Sequence, residues 1–86
     1  MTQNQQAAEA ITQEIVGDLL YNGHTVIAQD LRDLLAVALQ GNPAAVTRIQ
    51  AMANVRWLGD LYIESVPLLQ WYQKLERLRR LWKRLC

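Results

Sequence analysis

Phenylalanine is absent from this chain, cysteine and histidine occur once each, and proline occurs twice. Each scarcity removes a class of chemistry. A lone thiol, Cys86, cannot close an internal disulfide, so no oxidising compartment is implied, and it lacks the spacing of a prenylation box. His24 would need Ser65 or Cys86 beside it to form a nucleophile–base pair, and nothing in their spacing suggests this. Asp30 and Asp33 share a helix face, but a metal site needs several ligands at fixed intervals, so no metal or cofactor is expected. The four glycines are scattered and make no phosphate-binding loop. The chain is therefore expected to be non-enzymatic.

Long apolar runs are also missing. A membrane-spanning helix needs about 20 apolar residues, and no uncharged run here reaches that length. The first ten residues are polar and glutamine-rich, without the basic and apolar regions of a signal peptide. A cytoplasmic location is the expectation. Alternating β-branched runs are absent, which argues against strands.

Helical signals fill the chain instead. A single all-α domain over residues 1–86 is expected, a small bundle of four helices at about 5–21, 26–40, 43–64 and 67–85, with residues 1–4 frayed. Thr2 and Gln5 have the spacing of a capping box. Ala8, Ile11, Ile15 and Leu19, with Val16 and Leu20 beside them, follow helical spacing, and Asn22-Gly23 closes that helix. Thr25 is a candidate cap for the second helix, whose buried stripe is Ile27, Leu31, Leu34, Leu35 and Ala38. Asn42 and Pro43 suit the N-cap and first position of a third helix. Its inward pattern runs Val46, Ile49, Met52, Ala53 and Val55, then on through Trp57, Leu58, Leu61 and Tyr62 despite Gly59. Pro67 breaks or kinks the chain, and a break is favoured because Ser65 can cap a new helix. The short turns place successive helices roughly antiparallel.

Charge is unevenly spread. Residues 1–47 carry five acids and one base, net −4, whereas residues 48–86 carry eight bases and three acids, net +5. Six of the nine basic residues stand in the last helix, beside the single acid Glu76. Leu68, Trp71, Tyr72, Leu75, Leu78, Trp82 and Leu85 form an apolar stripe there, with Lys74, Arg77, Arg80 and Arg84 as the basic face and Arg79 and Lys83 on the flanks. Half of the residues are apolar, and so small a chain buries a modest fraction of its surface, so a homo-oligomer is expected.

These features lead to a helical protein–protein interaction module: a small regulator, adaptor or inhibitor acting through its C-terminal helix. Trp71, Leu75, Leu78, Trp82 and Leu85 are the candidate anchors, toward a partner protein or a second copy. A membrane surface would also suit an amphipathic basic helix, but so small a core needs that apolar face for folding. The alternative is a helix-turn-helix regulator that reads DNA with residues 43–56, through Thr47, Arg48, Gln50 and Asn54. Nearby Asp30 and Asp33 disfavour phosphate contact, which normally supplies most of the affinity.

Overall fold

A computed structural model describes residues 3–54 and 56–85. Among these residues the chain forms four α-helices and one 3-10 turn, with no strand. Helix α1 spans Gln3–Tyr21, α2 Thr25–Leu39, α3 Pro43–Met52 and α4 Leu68–Lys83, with the 3-10 turn at Leu58–Asp60. The expected roles of Thr2, Val55 and Cys86 lie outside the described residues.

The helix ends follow from particular residues. Gly23 and Gly41 sit at φ of +84° and +92°, a backbone state that costs glycine no Cβ clash, and they end α1 and α2. Asn42 caps α3: its Oδ1 accepts the Ala44 and Ala45 amides at 2.9 and 3.2 Å, and Pro43 fills the first helical position, where no amide donor is needed. Helix α1 starts earlier than expected, with Gln3 and Asn4 already helical. Thr25 does not cap α2. It lies one residue inside, and His24 holds the N-cap position through its backbone carbonyl, which accepts the Ala28 amide.

The third helix is the main departure from the sequence pattern. It ends at Met52 rather than continuing to residue 64. Asn54 stops it. Its Oδ1 accepts the Arg56 amide at 2.9 Å, and its carbonyl accepts the amides of Trp57 and Gly59. A side chain that bonds its own neighbourhood competes with the helical ladder. The apolar residues that followed helical spacing are then split: Leu58 is buried while Tyr62 is 77% exposed, and Ile63 and Val66, outside that pattern, are buried too. Helix α4 follows a non-helical segment, so Pro67 marks a start rather than a kink. Ser65 is not its cap; Pro67 occupies that position and its carbonyl accepts the Trp71 amide.

One hydrophobic core joins all four helices. Helices α1 and α3 each pack on both α2 and α4, which puts α1 diagonal to α3 and α2 diagonal to α4. Trp71, Leu75, Leu78 and Trp82 of α4 are at most 2% exposed. Burial of a large apolar side chain stabilises by about 1.5–3 kcal/mol, so α4 is a main contributor to the core. The polar edges of its two indoles are satisfied. Trp71 Nε1 donates to the Leu58 carbonyl at 2.9 Å, and Trp82 Nε1 donates to Thr12 Oγ1 at 2.9 Å. Thr12 is fully buried, and its hydroxyl donates in turn to the Ala8 carbonyl at 2.7 Å.

Candidate interaction surfaces

The apolar stripe of α4 is used within the chain. Trp71, Leu75, Leu78 and Trp82 lie in the core, and Leu85, just beyond the helix, is half-buried against it. In the folded chain their apolar faces are taken up by the core. Leu68, placed on the buried stripe by its spacing, is instead 61% exposed. It belongs to the first turn of α4, which projects past the end of α1.

The basic face divides. Lys74 Nζ lies 2.7 Å from Asp18 Oδ2 and 3.9 Å from Glu14 Oε2, so it ties α4 to α1. Arg79 pairs with Glu76 at 2.7 Å on the exposed surface of its own helix. Such exposed pairs contribute about 0–1 kcal/mol. Arg77, Arg80, Lys83 and Arg84 face solvent and form no ion pair among the described residues. Their spacing keeps them on the outward side of α4, with Arg77 leaning toward Glu14 of α1.

The residues of the DNA-reading alternative do not stay together. Thr47, Arg48 and Gln50 are on α3, but Asn54 lies beyond its end and is committed to the loop. The Thr47 hydroxyl donates back to the Pro43 carbonyl at 3.0 Å. Arg48 lays its guanidinium over the Trp57 ring, 4.3 Å from the centroid, an attraction of about 0.5–1 kcal/mol at an exposed site. Together with Ile27, Asp30, Asp33, Leu34 and Met52, this pair lines a groove between α2 and α3 of about 300 Å³. Two carboxylates thus stand beside α3, on the side of the bundle across from the basic outer face of α4.

A third surface had no signal in the helical periodicity. Helix α4 runs antiparallel to α1, with Trp82 opposite Thr12 and Lys74 opposite Asp18. The end of α1, the start of α2 and the segment before α4 therefore meet at one end of the bundle. Asn22 holds them together. Its Nδ2 donates to the Asp18 carbonyl at 2.7 Å and to Ser65 Oγ at 2.8 Å. Its Oδ1 accepts the Glu64 and Ser65 amides at 2.8 and 3.3 Å. His24 Nε2 lies 2.9 Å from the Tyr62 carbonyl and so donates to it. Around this network Tyr21, Val26, Tyr62, Leu68 and Leu69 stand exposed.

The same end brings His24 and Ser65 close to one turn. Their geometry does not activate the hydroxyl: His24 Nε2 is engaged by Tyr62, and Ser65 Oγ accepts from Asn22. Among the described residues, no group of three or more His, Cys, Asp or Glu is placed to hold a metal ion, and no helix is long and apolar enough to cross a membrane. No protein-family model, curated protein or solved structure matches the chain.

Proposed function

We propose that this chain is a non-enzymatic protein-binding module, a small regulator, adaptor or inhibitor, that presents the outer face of α4 to an acidic surface on a partner protein. The observation that carries this reading is the exposure of Arg77, Arg80 and Arg84 without an ion-pair partner among the described residues, on a helix whose inner face is locked in the core. A row of guanidinium groups on a helix held by the core can meet carboxylates with paired hydrogen bonds. It also steers encounter with an acidic partner.

The test uses a variant carrying Arg77→Gln, Arg80→Gln and Arg84→Gln together. Exposed charges change stability by about 0.5 kcal/mol or less each, so thermal melting should stay close to that of the wild type. Affinity capture from the native host, with the wild type as bait, should retain a protein that is released as salt rises. The triple variant should fail to retain it. Equal retention by both baits would reduce the row to a solvated face. Tight binding of the wild type to random duplex DNA, lost steeply with salt, would favour the nucleic-acid reading instead.

A further inference from the structure

Five large apolar side chains collect at the end of the bundle that Asn22 braces. Tyr21 is 82% exposed, Tyr62 77%, Val26 75%, Leu69 69% and Leu68 61%. Two shallow depressions connect three of them: Tyr21 and Tyr62 line one, and Tyr62 and Leu68 line the other. Val26 and Leu69 stand in the first turns of α2 and α4 at the same end. Glu64 is the one charged residue lining either depression. The backbone beneath is fixed by the Asn22 and His24 hydrogen bonds, so the side chains sit on an ordered platform.

We infer that this end is a two-fold interface between two copies of the chain. The first ground is charge. A two-fold interface places each patch against itself, so it must be self-complementary. The outer face of α4 would set arginine rows against each other, and the groove beside α2 would set Asp30 and Asp33 against their own images. The Tyr–Leu end carries a single charge in its depressions, Glu64, and so meets its image with a smaller penalty. The second ground is area. A tyrosine offers roughly 150–250 Å² and an aliphatic side chain roughly 60–120 Å² for burial. Scaled by their exposures, the five side chains present roughly 400–600 Å² per copy. With all of this covered, two copies would bury about twice that, which spans the ~1,000 Å² threshold for a specific interface and places this one at the small end of the class. Tyrosine suits such a surface, since its ring buries area while its hydroxyl keeps a polar partner. This pairing is independent of the basic face, which it leaves open on both copies.

Sedimentation equilibrium of the full chain under reducing conditions, from low micromolar to several hundred micromolar, tests the inference. The average mass should rise from 9.9 kDa toward twice that value. The double variant Tyr62→Glu/Leu68→Glu should weaken association by at least about 30-fold, because it gathers four new carboxylates at the interface, two from each copy. Both side chains are exposed, so at a concentration where both proteins are monomeric its melting should match the wild type. The Arg77, Arg80 and Arg84 triple Gln variant should dimerise as the wild type does. A wild type that stays at monomer mass throughout, or a dimer that survives the double variant, overturns the proposal. Hydrogen exchange on the unmodified chain gives a reading that needs no variant. Raising concentration should protect amides in residues 20–26 and 61–69. Protection confined to the outer face of α4 or to α2 overturns it equally.

Discussion

Asn22 does more for this fold than any sequence pattern assigns to it. An asparagine before a glycine is legible as the end of a helix, and Gly23 does take the left-handed state there. Its four hydrogen bonds to Asp18, Glu64 and Ser65 are not legible, because three of them reach residues more than forty positions away. Asn22→Ala should cost about 1–3 kcal/mol, since it leaves the Glu64 and Ser65 amides to find water. Amide exchange should speed up across residues 61–67 more than in α2 or α3. Uniform acceleration over the whole chain would mean that Asn22 braces no particular segment. Thr12 makes the same point about the limits of periodicity. It falls among the apolar positions of α1, yet it is polar and fully buried, and its place is set by the indole of Trp82 on the far side of the core.

The helices whose boundaries are legible end on local chemistry, and the one that is misjudged ends on a local competitor. Gly41, Asn42 and Pro43 announce the junction of α2 and α3 by conformations that need no distant partner. After Met52 the apolar spacing of Trp57, Leu58 and Leu61 imitates a helix, but Asn54 captures the Arg56 amide and bends the chain away. Helix α4 is legible as an element, although Leu68 of the expected stripe is exposed and Leu81, outside that stripe, is buried. What its pattern could not supply is the identity of the surface that covers the buried face. That surface is the chain's own core, so the exposed remainder of α4 becomes the candidate for recognition. Helix α1 holds one local weakness: Gly17 is exposed in its interior, and a methyl group added there meets nothing within 4 Å. Gly17→Ala should therefore stabilise by about 0.5–1 kcal/mol. Urea denaturation followed by circular dichroism should show a higher midpoint at an unchanged slope. An unchanged or lower midpoint would indicate that α1 needs its flexibility at that position.

Across the whole molecule, the inner face of α4 serves the core, and its outer face is the one proposed for recognition. Leu78 is fully buried on the inner face of α4. Leu78→Asp places a carboxylate in the core without a partner, and should cost more than about 3 kcal/mol. Loss of the cooperative melting transition, seen by circular dichroism, is the expected outcome. Survival of the transition would mean that α4 can leave the core while the other helices remain folded. The fold class was legible at this scale because apolar spacing and short turns agree along most of the chain. The arrangement of surfaces was not. The basic side, the acidic groove and the Tyr–Leu end arise only once α2 and α4 are set diagonally and the segment before α4 is laid across the α1–α2 turn.

The pairing of α1 with α4 joins residues 56 and 70 positions apart, through Asp18–Lys74 and Thr12–Trp82. During synthesis, then, α1, α2 and α3 leave the ribosome before the helix that completes their core. Until α4 arrives, Ile11, Ile15 and Leu19 have only part of their cover. A nascent chain stalled before Pro67 would expose this seam to chaperones and proteases, whereas docking of α4 covers it. The sequence of events makes the arrival of the arginine-bearing helix coincide with completion of the fold, so a chain able to bind through that face is also one that has finished folding.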